Sequence, residues 1–430
     1  MYHRLVPDPA SSPVLPVPRP EGERTADWAA DWAADWADSG VTALTGRADG
    51  PALVPPGRGA SVARELASLL PVDVDGPALL GERAAFTGGT RRGAVSVGGA
   101  CRLLPTADGW AAVSCARPDD PALLGALTGA QIDGDPWAAV SAWLRAHPGA
   151  ELAERAALLG LAAAPVHALP DVRSKNPGQA AACGEPAPVR PAGVRPGPAR
   201  SAGGLRVVDF SALWAGPLCA HLLGLAGADV IKVETPDRPD GARRGHPGFY
   251  RLLHAGHRSV VLDPATPRGR DALAALVASA GIVIEASRPR ALARWGLDPA
   301  KTPATWISIT AAGRASDRVG FGDDVAAGAG LVAWDGDGPV FAGDAIADPL
   351  SGLTAAVRAL TDPPGSLIGI SMTGIVAGTL AGPLDSPRDG TATTAGGTVA
   401  GQVRPPRART PAGEAPPSGA DTDSVLSELC

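Results

Sequence analysis

A chain of 430 residues, 45% of them hydrophobic, is long enough for one large or two ordinary domains with a sizeable core. Its formal net charge of −6 leaves no basic excess to neutralise a phosphate backbone, which excludes a general nucleic-acid binder and requires any anion to be bound locally. Five dispersed cysteines (Cys101, Cys115, Cys183, Cys219 and Cys430) form no CxxC pair, so neither a disulfide framework nor a thiolate metal site is expected, and a reduced cytoplasm fits.

The N-terminus MYHRLVPDPASSPVLPVPRP is too interrupted by proline for a signal-peptide core. No apolar run approaches the roughly 20 residues of a membrane span, so no membrane insertion is expected. Only three lysines (Lys175, Lys232, Lys301) accompany many arginines, which makes arginine the default cation and weakens any argument from a single one.

Three stretches rich in Pro, Gly and small residues divide the chain: a disordered N-terminus over 1–25, a linker over 171–203, and a tail over 381–430 that ends in a short helix. Between them lie two folded parts, a smaller α+β domain over 26–170 and a larger unit over 204–380. The first opens on ADWAADWAADWADSG, whose four-residue repeat sets Trp28, Trp32 and Trp36 on one face of a short helix. That face reads as core packing, with a partner-binding aromatic stripe as the alternative. Short helices then surround a glycine-rich turn at Gly98 and Gly99. CRLLPTADGWAAVSCAR alternates apolar and polar residues on both sides of Asp108-Gly109 and predicts a hairpin. DPWAAVSAWLRAHP and GAELAERAALLGL follow as two amphipathic helices.

The second part has a βα rhythm. VVDF is a buried strand, AGPLCAHLLGLAG a helix and ADVIKVE a second strand; SVVLD, PRGRDALAALVASA, GIVIEAS, RPRALARWG and TWISIT continue the alternation. The expected fold class is α/β, a Rossmann-like doubly wound parallel sheet covered on both faces, with a second, smaller α+β domain. No GxGxxG follows the first strand, no GxxxxGK[ST] occurs, and no GxSxG elbow is present. Dinucleotide, P-loop and serine-hydrolase readings therefore lack their motifs. His221 reads as a core residue, His254 and His257 lack the i, i+4 partner of a helical metal site, and no metal is expected.

GLRVVDFSALWAGPLCAHLLGLAGADVIKVE closely resembles the opening of family III CoA-transferases (CaiB/BaiF-like), and the resemblance continues through Arg243, LLHAGHRSVVLD, GIVIEASRPRALARWGLD and WISIT. SGVTALTG, ADGWAAVSCARPDD and LAAAPVHAL resemble pieces that follow the βαβ half in that family, so their order here is reversed, as in a rearranged or fused chain. GADTDSVLSEL resembles the family's terminal segment. The resemblance implies coenzyme A as co-substrate, acyl-CoA and carboxylic acid partners, and a homodimer. It places the family's nucleophilic aspartate at Asp348, in GDAIADPLSGLTAAVRAL. Read from the residues alone, Asp348-Pro349 is an N-cap followed by a proline opening a helix; the two roles are compatible, since a helix N-terminus favours an ionised carboxylate.

For CoA, the resemblance implies Ser211 and Ala212 at the first strand's end, then Arg243, His257, Arg258 and Arg288 along successive strand ends. GFGDDVAAGAGLVAWDGDGPVF resembles the family's Gly-Tyr-Asp motif. Racemase relatives carry a His beside that Gly where this chain has Phe321, which favours transfer over racemisation. Asp323 and Asp324 are candidates to replace that base and otherwise read as a solvated turn. The family's glycine-rich loop is reduced to SVGGA, so a non-catalytic CoA-binding or scaffold homologue and an acyl-CoA racemase or isomerase stand beside the transferase reading.

Overall fold

The computed structural model describes residues 27–132, 134–167, 199–287, 290–380 and 403–429. The expectations for 1–25, for most of the 171–203 linker, for the first part of the tail and for Arg288 lie outside the described residues.

Eleven strands are present among the described residues: β1 (Cys101–Pro105), β2 (Trp110–Ser114), β3 (Ala163–Pro165), β4 (Arg206–Asp209), β5 (Asp229–Glu234), β6 (Arg258–Val261), β7 (Ile282–Glu285), β8 (Thr305–Thr310), β9 (Val332–Asp335), β10 (Gly338–Phe341) and β11 (Leu367–Ser371). Six of them form one sheet in the order β11-β8-β7-β4-β5-β6, and every pair in it is parallel. The chain builds outward from β4 to β6, returns past β4 and builds outward again from β7. That reversal falls between β4 and β7, and open α/β sheets bind ligands beyond the carboxyl ends of the strands at such a point.

The strand residues alternate between two buried faces. Val207, Ile282, Ile284, Ile307, Ile309, Ile368 and Ile370 pack with helices Ala215–Leu225 and Ala347–Thr361. Val208, Ile231, Val233, Val283 and Trp306 pack with Leu273 and Leu276 of helix Pro267–Ala278 and with Val425 of helix Thr422–Ser427. A side chain pointing either way from these strands leaves water, which is why the sequence is apolar in runs here instead of alternating with polar residues.

The predicted hairpin is β1–β2, with Pro105 opposite Trp110 across Asp108-Gly109. β3 adds to it antiparallel, and Val113, Leu124, Val140, Leu144 and Leu152 form a separate core beneath the helices Asp120–Thr128, Trp137–Ala146 and Gly149–Leu159. On the other face of this sheet, Leu103 and Ala112 meet Ala327, Val332 and Phe341 from the second part. Packing crosses the linker in the other direction too. Trp36, Val62, Leu66, Leu79 and Leu80, from helices between 27 and 80, belong to the same core as Leu350 and Leu353.

Of the tryptophan repeat, Trp36 is 1% exposed and donates its indole N–H to Gly57 O at 2.7 Å. The side chain of Trp28 lies outside the described residues. Trp36→Ala removes the largest buried side chain of the N-terminal helices and is expected to cost about 3–5 kcal/mol, read as a lower urea midpoint with an unchanged slope.

The last described segment lies across both parts. Arg409 forks onto the buried Glu82, with Nε and Nη2 each 2.8 Å from a carboxylate oxygen. Asp421 and Thr422 then accept from the backbone N–H groups of Ser259 and Val261 at 2.8 and 3.1 Å, covering the β6 edge.

Candidate active site

Helix Ala347–Thr361 begins after Ile346, so Asp348 lies inside its first turn and does not occupy the expected N-cap position. Pro349 follows, where a missing N–H costs nothing because first-turn N–H groups have no helical acceptor. Ala345, two residues before the helix, is held in the left-handed region at φ +45°. Its N–H donates to Asp323 Oδ1 at 2.8 Å, and its carbonyl accepts from Asp348 N at 2.9 Å. A side chain at φ > 0 is strained, and such strain persists only where the surroundings impose it.

A second helix start, Gly322–Gly328, abuts the first. A Cβ on Gly322 would fall 2.3 Å from Ala345 O and 2.6 Å from Asp348 Oδ2, so only glycine admits this approach. Asp323 and Asp324, expected as a solvated turn, are instead the helix's opening residues. The correction has a tertiary cause. Asp324 is fully buried, and its Oδ1 accepts from Phe321 N at 2.8 Å and from Ser114 Oγ of β2 at 2.9 Å.

Two residues that no sequence pattern singled out complete the cluster. Asp344, 1% exposed, receives a two-pronged hydrogen bond from Arg83, with Nε to Oδ2 at 2.8 Å and Nη2 to Oδ1. The Arg83 guanidinium also lies over the Trp214 ring, 5.1 Å from its centroid. Burial pushes the Asp348 carboxyl up to about 7; Arg83 opposes the rise, and Asp323, Asp324 and Asp344 add to it. Asp323 is raised to about 7 by burial and Asp344, against Arg83, and Asp324 to about 6 by burial, against Arg318. Carboxyls that change charge near neutral pH in one cluster are the hallmark of a chemical site more often than of a structural one.

The carboxyl end of β4 is built separately. Asp209 is fully buried and accepts from Ser211 N at 2.8 Å and from Ser211 Oγ. Lys232, also buried, donates to Ser211 O at 2.7 Å and lies 2.9 Å from Asp240 Oδ2. Asp240 in turn accepts from Leu213 N at 3.0 Å, and Leu213 has φ +69°. These bonds hold the turn so that Ala212 and Leu213 are exposed while Ser211 is buried behind them.

The structure does not bring the expected cations together along one sheet end. Arg243 forks onto Glu234 at the end of β5 and lies over Tyr250 at 4.8 Å. Arg258 opens β6 and pairs with Asp229, which opens β5, and with Glu428. It therefore sits at the amino edge of the sheet, opposite Ser211, already matched by two carboxylates. His257 is buried beside His221 and His254, and burial followed by Lys232 pushes it down to about 3, so it is a neutral ring. A neutral buried imidazole with no hydrogen-bond partner among the described residues is core, not an anion ligand. Among the described residues, no group of three or more His, Cys, Asp or Glu side chains is arranged to hold a metal, and no helix is long and apolar enough to cross a membrane.

The chain is similar to known proteins over part of its length. The sequence model of CoA-transferase family III matches residues 203–362. Formyl-CoA:oxalate CoA-transferase of Afipia carboxidovorans is 36% identical over 105 residues, which cover 23% of this chain and 25% of that protein. Succinate–glutarate CoA-transferase of Agrobacterium fabrum is 31% identical over 209 residues, 41% of this chain and 52% of the relative. Succinyl-CoA–D-citramalate CoA-transferase of Chloroflexus aurantiacus is 32% identical over 181 residues, 38% and 45% of the two. The chain thus spans a quarter to about half the length of these curated relatives. Among solved structures, a CAIB/BAIF family protein from Brucella suis aligns with TM-score 0.38 and 30% identity, over 43% of this chain and 56% of that one.

Proposed function

We propose that this protein, whose residues 203–362 match the sequence model of CoA-transferase family III, moves CoA from an acyl-CoA thioester to a carboxylic acid with Asp348 as nucleophile. The observation that carries the reading is the placement of Asp348: a half-buried carboxylate in the first turn of a helix, where the N-terminal end favours its charge. In this reading residues 204–380 carry the transfer chemistry and 26–170 form the smaller α+β part, within a cytoplasmic homodimer.

The ionised Asp348 attacks the thioester carbonyl; the C–S bond breaks, CoA leaves as thiolate, and an aspartyl mixed anhydride remains. The thiolate then attacks the aspartyl carbonyl, releasing the first acid and leaving aspartyl-CoA. An acceptor carboxylate repeats the two exchanges in reverse order, and Asp348 returns to its starting form. The adenine and phosphates of CoA are assigned to the carboxyl end of β4, with Ala212 exposed there, Ser211 holding the turn behind it and Arg243 at the neighbouring strand end.

Because only the ionised carboxylate is a nucleophile, covalent labelling is expected to rise with pH through about 7 and to level off above it. The test is intact-protein mass spectrometry with hydroxylamine trapping, after incubation with formyl-, oxalyl-, succinyl- and glutaryl-CoA, at pH values from 5.5 to 8.5. A CoA-sized adduct or a hydroxamate whose yield follows that curve supports the reading. Absence of any adduct across the panel, with CoA still bound, rejects transfer in favour of a binding role.

Asp323 gives a second reading some footing. Its carboxyl is also raised to about 7 and bears on Asp348, so the pair could move an α-proton of an acyl-CoA. Exchange of solvent deuterium into the α-position of a bound thioester would favour it; absence of exchange removes it.

A further inference from the structure

Charged groups from several elements bear on Asp348. Asp323 and Asp324 come from helix Gly322–Gly328, Asp344 from the loop before its own helix, and Arg83 from helix Glu82–Thr87; Arg318, from the segment ahead of Phe321, faces Asp324. Arg83 is separated from Asp344 by 261 positions in sequence and belongs to the part of the chain that precedes the family segment. Two of its nitrogens are spent on Asp344; Nη1 donates to no other described residue, and the side chain remains 29% exposed. The glycine-rich turn closes over it, since a Cβ on Gly98 would lie 3.5 Å from Arg83 Nη2.

The neighbouring residue is fixed just as firmly. Glu82, 1% exposed, accepts from Arg409 N at 3.0 Å as well as from its guanidinium. A six-residue helix has little stability of its own, so Trp214 on one side and the Arg409 strap on the other hold it in place.

We infer that Arg83 is the positioning residue of this site: a cation delivered in cis by the N-terminal part, locked by Asp344, Trp214 and the C-terminal strap, and set to offset the carboxylates crowded around Asp348. The inference deepens the transferase reading and rests on it only for the identity of the reaction. Four carboxylates crowd this corner, and Arg318 serves Asp324. Arg83 grips Asp344, and the next residue, Ala345, donates to Asp323 and accepts from Asp348 N, so the guanidinium is anchored beside the turn that joins all three carboxylates. Arginine suits the role, being charged at every relevant pH and able to grip one carboxylate while leaving an edge for another group.

The experiment follows Asp348 itself. Its carboxyl carbon is titrated by 13C NMR in the full-length protein, assigned by its absence from Asp348→Asn, in wild type, Arg83→Gln and Asp344→Asn. Arg83→Gln is expected to raise the Asp348 midpoint by about one unit or more, the usual effect of losing a near opposite charge. Asp344→Asn is expected to lower it, because it removes a like charge and frees Arg83. A purely structural Arg83 would lower the thermal midpoint and leave the Asp348 titration where it was. That result, or an upward shift in Asp344→Asn, overturns the inference. If Arg83→Gln does not fold, Arg83→Met, of similar length and uncharged, takes its place, and an Asp348 midpoint unmoved in it overturns the inference. The titration uses no thioester, so a wild type that fails to label would count against the transferase reading without touching this one.

Discussion

Asp348→Asn is expected to lose thioester labelling and CoA transfer by about 10^4-fold or more, the scale of removing a nucleophile, while the fold becomes more stable at pH 8. The amide has nearly the same shape and no nucleophilic charge. The stability gain follows from the direction of the Asp348 shift. Its folded-state value near 7 lies above that of an unfolded aspartate, about 3.9, so the folded protein holds this proton more tightly. That preference stabilises the fold fully below the unfolded value and is lost as pH rises through 7. At pH 8 the group is charged in both states, and burial, with crowding among carboxylates, costs the folded one about 1–3 kcal/mol, allowing for partial exposure. Asparagine removes that cost, and the gain should shrink toward pH 4. Urea midpoints at pH 8 and pH 4.5, beside the labelling assay, test both halves. A variant that still forms the adduct shifts the nucleophile elsewhere; one that loses labelling together with stability makes Asp348 a structural residue.

The parallel sheet was legible because its strands are buried on both faces. VVD, DVIKVE, IVIE and TWISIT are apolar in runs of strand length, separated by helices of crossover length. β3, β9 and β10 are three or four residues each and gain their definition from pairing. β11 is interrupted by Gly369 and is a strand because β8 lies beside it. The nucleophile candidate was legible through the sequence around it, but its electrostatics were not. Arg83 looks like any arginine in an arginine-biased chain, and its partner is 261 positions away. Asp323-Asp324 followed by small residues reads as a turn until Ser114, from the other part of the chain, arrives to cap it. Arg258 is different: it is the first residue of its strand, so the direction of a parallel sheet already placed it at the edge away from the carboxyl ends.

Gly322→Ala is expected to slow labelling by about 10^2-fold and to cost about 1–3 kcal/mol, although alanine is the better helix former. Gly322 opens a helix outside the left-handed region, so backbone conformation alone would favour the substitution by up to about 1 kcal/mol. Contact decides the other way. The new methyl would sit 2.3 Å from Ala345 O, a backbone atom that cannot rotate aside. Ala345 is held in its left-handed conformation by the bond from its N–H to Asp323 and by the helix it precedes, so the two helix ends must separate. Asp348 Oδ2, 2.6 Å from the same methyl, moves with them. A nucleophile displaced by about 1 Å loses most of its positional advantage, which is why the kinetic effect should exceed what the stability loss alone explains. Gly378→Ala is the matched control: its Cβ would meet nothing within 4 Å in helix Met372–Leu380, so it should gain up to about 1 kcal/mol and label like wild type. Equal labelling in Gly322→Ala and wild type would mean that the close approach of the two helices does not set the nucleophile's position. Slow labelling in Gly322→Ala at a denaturant concentration where it remains folded ties the geometry of that contact to the chemistry.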